Sequence, residues 1–121
     1  MLGLLGGDLM VASRVRTAAA GLGHSTRQVK TGSDLAGTDL LLVDLNRDVD
    51  RQLTLLAELL APGIGPKVIA FGPHLLIGEI RERARKAGAS RVVANSALPG
   101  VLRRSLRRPT EPPTAPGRSS L

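Results

Sequence analysis

Cysteine is absent from the 121 residues. Disulfides, thiolate zinc sites and cysteine nucleophiles are therefore excluded. Tryptophan and tyrosine are also missing, and phenylalanine occurs once, as Phe71. A chain so poor in aromatic rings has no stacking platform for single-stranded nucleic acid, and its core must be built from Leu, Val, Ile and Ala. No apolar run approaches the ~18 residues of a membrane span. The N-terminal MLGLLGGDLM has no basic segment ahead of its apolar residues, so a signal peptide is not expected. The cytoplasm is the default expectation, with no membrane partner.

Hydrophobic residues make up 42% of the chain, too many for a disordered polymer. A chain of this length fits one domain and buries roughly two thirds of the surface it exposes when unfolded. Four short apolar runs stand out, at Leu2–Leu5, Leu40–Leu45, Lys67–Phe71 and Arg91–Ala94. The second and third are nearly continuous, the pattern of strands covered on both faces. Between the runs the apolar period becomes helical. Val11, Val15, Ala18 and Leu22 step by 4, 3 and 4, and Leu76, Ile80, Ala84 and Ala87 by 4, 4 and 3. Leu53, Leu56 and Leu60 form a third stripe, widened by Val49, Leu55 and Leu59.

Local signals agree. Pro62-Gly63 stops the middle helix, and Gly88 stands where a helix C′ glycine belongs. Glu79 with Arg83, and Glu82 with Lys86, are spaced for ion pairs along one helix. Ser96 is placed to cap a last helix running to Arg108, with Pro99 in its first turn. A weaker strand, Arg27–Lys30, follows Gly21-Leu22-Gly23, and the nine residues Thr31–Asp39 leave room for a single helical turn at Ser33–Ala36. Alternation of strand and helix predicts an α/β domain over residues 1–108 with a doubly wound parallel sheet. Residues 109–121 hold four of the eight prolines and no core-forming face; they are expected to be a disordered tail that folding does not need.

Five strands and five helices in this space resemble the receiver domain of bacterial response regulators, a flavodoxin-like fold with strand order 2-1-3-4-5. Three stretches carry the resemblance. Gly6-Gly7-Asp8 to Gly21-Leu22-Gly23-His24 is similar, without a gap, to the family's spacing from the first strand to the second. Leu40-Leu41-Leu42-Val43-Asp44-Leu45 resembles its third strand, and Ala87-Gly88-Ala89 before Arg91-Val92-Val93-Ala94 resembles the entry to its fifth. The resemblance implies a phosphoacceptor at Asp44, with Mg²⁺ offsetting the charge of carboxylate and phosphoryl group. It also implies an acidic pair where Gly6 and Gly7 stand, a hydroxyl where Gly72 stands and a lysine where Asn95 stands. Of these four working parts only Asp44 is present.

Asp44 therefore has two readings: a phosphoacceptor, or a carboxylate retained to accept hydrogen bonds at the end of its strand. Asp8, Asp44 and the carbonyl of Asn46 are the candidate ligands of a weak Mg²⁺ site, a thin set with two carboxylates; the alternative for Asp8 is an acid at a helix N-terminus. No other cofactor is expected. Gly6-Gly7 before a helix is either an anion cradle or a tight turn, and lacks the Gly-x-Gly-x-x-Gly pattern. His24 and His74 are far apart, and Ser13, Ser25 and Ser96 have no nucleophile-elbow motif, so no enzyme is expected.

Charge is the remaining signal. Residues 1–78 hold seven basic and seven acidic residues, and the tail is neutral. Residues 79–108 hold nine basic residues against Glu79 and Glu82, and so carry the whole net charge of +7. Arg91, Arg103, Arg104, Arg107 and Arg108 are the candidate partner-binding residues. The resemblance implies that the helix before the fifth strand, that strand and the last helix form an output or dimerisation face. An acidic protein is the first expected partner; a nucleic-acid backbone or a second copy of the chain is the alternative, and a merely solvated face is the plainest reading. The reading is a stand-alone pseudo-receiver, a phosphorylation-independent signalling or interaction module. Alternatives are an atypical receiver phosphorylated at Asp44 and a small nucleotide-binding α/β domain.

Overall fold

The computed structural model describes residues 1–61 and 65–106. Its strands are β1 (Leu2–Leu5), β2 (Thr26–Gln28), β3 (Leu40–Asp44), β4 (Lys67–Gly72) and β5 (Arg91–Ala94). Its helices are α1 (Leu9–Gly21), α2 (Val49–Leu59), α3 (Ile77–Ala87) and α4 (Leu98–Ser105), with 3₁₀ turns at Gly32–Leu35, His74–Leu76 and Asn95–Ala97. The strands form one sheet in the order β2-β1-β3-β4-β5, every pairing parallel. The expected architecture and strand order are both found.

Continuous apolar runs conceal an alternation that assigns sides. Leu41 and Val43 lie in register with Val68 and Ala70, and all four pack with Leu53 and Leu56 of α2 and Ile77, Ile80 and Ala84 of α3. Leu40, Leu42, Ile69 and Phe71 face the other way, onto Val15 and Ala19 of α1 and Leu98, Val101 and Leu102 of α4. Successive strand side chains point to opposite faces; a sheet covered on both sides therefore needs apolar residues at every position. Each helix returns from the carboxyl edge of the sheet to its amino edge, so α3 and α4 flank edge strand β5 from opposite faces.

Several local expectations are corrected. The second strand is Thr26–Gln28 rather than Arg27–Lys30, because the Asp34 carboxylate takes the N–H groups of Lys30 and Thr31 at 2.8 and 3.0 Å and draws the chain out of the ladder. The single turn that follows is 3₁₀ and starts one residue early, at Gly32. Ser96 does not cap the last helix: it sits inside a 3₁₀ turn, and Ala97 at the N-cap makes no side-chain cap bond. That helix ends at Ser105, and Leu106 turns extended and is buried. Glu79 does not hold Arg83, which reaches across to Asp50 in the first turn of α2. Gly88 closes α3 at φ +122, donating its N–H to the Arg85 carbonyl at 3.0 Å. The Pro62-Gly63 stop, Arg107, Arg108 and the tail 109–121 lie outside the described residues.

Candidate functional site

Asp44 ends the central strand at the carboxyl edge of the sheet, where doubly wound folds place their sites. It is 6% exposed and is the one buried charged residue among those described. Its neighbour Asn46 satisfies it twice on one oxygen: the backbone N–H donates to Oδ1 at 2.8 Å and the side-chain Nδ2 at 2.6 Å. Asn46 is itself fixed by Asn95, which follows β5. The two amides exchange donors, Asn46 Nδ2 to Asn95 Oδ1 at 3.1 Å and Asn95 Nδ2 to Asn46 Oδ1 at 2.8 Å. Asp44, Asn46 and Asn95 thus form a hydrogen-bonded chain that joins the segments after β3 and β5 across the end of β4.

Asp8 lies beside this chain. Gly6 and Gly7 take positive φ, +79 and +87, and turn β1 into α1. Asp8 then acts as the N-cap, its Oδ1 accepting from the Val11 N–H at 2.9 Å. That bond, aided by the Arg47 guanidinium 3.9 Å from Oδ2, holds its carboxyl below the ordinary aspartate value. Asp8, Asp44, Asn46, Arg47, Asp48 and Gln52 share a cleft of about 270 Å³ with the two glycines. Asp48 is in the left-handed region at φ 52, and Gln52 Oε1 is buried without a hydrogen-bond partner.

The structure therefore brings Asp8, Asp44 and Asn46 together in one cleft. A hard cation asks for several oxygens with free lone pairs. Here Asn46 turns its side-chain NH₂ toward Asp44 and gives its side-chain oxygen to Asn95, so the oxygen it could offer a cation is its backbone carbonyl. Asp8 caps a helix and faces a guanidinium. Among the described residues no group of three or more His, Cys, Asp or Glu side chains could hold a metal. Gly72, where the resemblance implies a hydroxyl, carries no side chain, and a Cβ there would meet the Leu45 carbonyl oxygen at 3.4 Å. Sequence reasoning counted Asn95 only as a missing lysine; its pairing with Asn46, 49 residues away, has no periodic signature.

The basic residues gather at the opposite edge. Arg85 and Lys86 are in the last turn of α3, Arg103 and Arg104 in the last turn of α4, and Arg91 opens β5. All five are exposed. The ion pairs among the described residues join the N-terminal amine to Asp39, Arg47 to Asp8 and Arg83 to Asp50, so none of the five is paired with a carboxylate among the described residues. His24 precedes β2 and His74 follows β4, which puts them at opposite edges of the sheet. No described helix is long and apolar enough to cross a membrane.

No protein-family model and no curated protein matches the chain in sequence. Solved structures do match in fold. A response regulator from Thermotoga maritima superposes with a TM-score of 0.66 at 15% identity, covering 85% of this chain and 93% of its own. The receiver domain of NtrX from Brucella abortus gives 0.67 at 19% identity, covering 88% and 98%. A protein described as pilus assembly-related from Burkholderia pseudomallei K96243 gives 0.68 at 15% identity, covering 88% and 92%. The chain has the CheY-like, flavodoxin-like fold of response-regulator receiver domains.

Proposed function

We propose that the chain is a pseudo-receiver: a signalling module of the kind used in two-component systems that works by docking and not by an aspartyl-phosphate switch. One observation carries this reading. Oδ1 of Asp44 is engaged by Asn46, and Asn46 by Asn95, at the place where a phosphoacceptor needs a metal and a counter-charge. A phosphoryl group on Asp44 would add negative charge to a cleft that already holds Asp8 and Asp48, whose one cation, Arg47, is paired with Asp8. Intact-mass measurement after incubation with acetyl phosphate and Mg²⁺ tests the reading. The expected result is no gain of mass; a phosphate added to the wild type and absent from Asp44→Asn would establish an active receiver instead.

Docking is assigned to the basic edge of the sheet, and its partner is an acidic protein surface. Five exposed cations free of carboxylates among the described residues support this, and Arg107 and Arg108 follow in sequence. Binding through exposed guanidinium groups weakens as the Debye length contracts, from ~10 Å at 0.1 M salt to ~3 Å at 1 M. Retention on an acidic matrix such as heparin is expected to fall steeply with salt. Replacing Arg103, Arg104, Arg107 and Arg108 by Gln should move elution to much lower salt with the fold intact. Equal elution of the two proteins would reduce the cluster to a solvated surface.

A further inference from the structure

A second concavity lies on the α1–α4 side of the sheet and adjoins the Asp44 site, sharing Val11 and Asn46 with its cleft. It encloses about 310 Å³, at the small end of the range for ligand pockets. Its floor is Phe71 of β4. Val11, Val15 and Ala18 of α1 form one wall, and Leu98 and Leu102 of α4 the other. The α1 residues sit at i, i+4 and i+7, so the groove runs ~10 Å along the helix. At positions where packed helices commonly interlock large side chains, α1 offers valine and alanine, and the groove stays open between them.

Its polar groups are few and differ in kind. The Asn46–Asn95 pair closes one end, but those amides satisfy each other at 3.1 and 2.8 Å and make little demand on a ligand. Arg14 stands on the α1 wall, exposed and in no ion pair among the described residues. No carboxylate lines the groove. A sugar would find too few hydrogen-bonding partners, and a nucleotide too little room and a single cation for its phosphates. The match is an apolar body the size of a phenyl ring or a medium-length acyl chain, bearing one negative charge.

We propose that the α1–α4 groove binds a small amphipathic carboxylate, its apolar part against Phe71, Val15 and Leu102 and its carboxylate paired with Arg14. The proposal is independent of whether Asp44 is phosphorylated and of the basic edge. Because the Asn46–Asn95 pair is part of the wall, an occupant would also touch the residues that hold Asp44.

The test is an NMR titration of the full chain, ¹⁵N-labelled, with octanoate and with its neutral counterpart octan-1-ol. Octanoate should give saturable shifts concentrated on residues 11–18, 95 and 98–102. It should bind about three- to fivefold more tightly than octanol at low salt, the range expected of one exposed ion pair. Arg14→Gln should erase that advantage, and Ala18→Leu or Val11→Phe, which fill the groove, should abolish binding. A dispersed spectrum certifies that each variant is folded, and if one filler does not fold the other decides. No saturable shift at millimolar octanoate, equal affinity for acid and alcohol, shifts elsewhere on the molecule, or undiminished binding by a folded filler would each overturn the proposal.

Discussion

Asn46 does for Asp44 what solvent and a cation do for an exposed carboxylate: it supplies donors to a charge that is almost wholly buried. Asn46→Ala removes the side-chain bond and leaves the backbone one. Denaturant unfolding should then show a loss of about 1–2 kcal/mol, the cost of under-satisfying a buried charged acceptor. Asn95→Ala should cost less, because Asn95 is exposed and water replaces it. At this scale the sequence was partly legible. Asp44, Gly6, Gly7, Gly72 and Asn95 follow from chain order and the resemblance. The positive φ of Gly6 and Gly7 does not, and it adds a backbone reason for glycine at positions where the resemblance implies acids: a non-glycine residue in that region costs roughly 1–2 kcal/mol. The amide exchange between Asn46 and Asn95 was illegible because hydrogen bonding between distant loops leaves no mark in residue spacing.

Two aspartates organise the ends of elements. Asp8 caps α1, and Asp34 gathers the N–H groups of Lys30 and Thr31 to end β2. Backbone N–H bonds hold both carboxyls below the ordinary 3.8, from Val11 in Asp8 and from Lys30, then Thr31, in Asp34. The folded chain therefore binds these protons less readily than the unfolded chain. Their contribution to stability is fully present above the ordinary value and is lost as pH falls through the lower, folded values. The thermal midpoint should be insensitive to them near neutral pH and should fall below about pH 4. Asp8→Asn combined with Asp34→Asn should flatten that part of the fall in a calorimetric pH series. Strands were legible from apolar runs, since burial on both faces demands them. The limits of β2 and the start of α4 were not: an acid four residues on in sequence ended the first, and a 3₁₀ turn displaced the cap expected of Ser96.

At the scale of the molecule the two edges of the sheet differ in chemistry. The carboxyl edge holds the Asp44 network and Asp8; the amino edge beside β5 gathers Arg85, Lys86, Arg91, Arg103 and Arg104. Cations at the last turns of α3 and α4 gain from the helix dipoles, but they repel one another across β5. Salt screens that repulsion, so raising NaCl from about 0.02 to 0.5 M should raise the melting temperature, and the increment should shrink in the variant with Gln at 103, 104, 107 and 108. The sequence located this excess charge to a stretch of thirty residues. That the stretch folds around one edge strand, with Arg85, Lys86, Arg91, Arg103 and Arg104 at the end remote from Asp44, required the topology.

Phe71 stands alone in the α1–α4 half of the core, 2% exposed, with Val15, Leu98 and Leu102 in the same cluster. The chain's other aromatic rings are the imidazoles of His24, ahead of β2, and His74, after β4. Phe71 is the chain's one benzene ring, so the largest ring-current displacements in its methyl NMR spectrum are expected on the floor of the groove. Upfield shifts of the Val15, Leu98 and Leu102 methyls report any change in that neighbourhood. With no tyrosine or tryptophan in the background, a single tryptophan introduced anywhere on the surface would be the protein's only indole fluorophore.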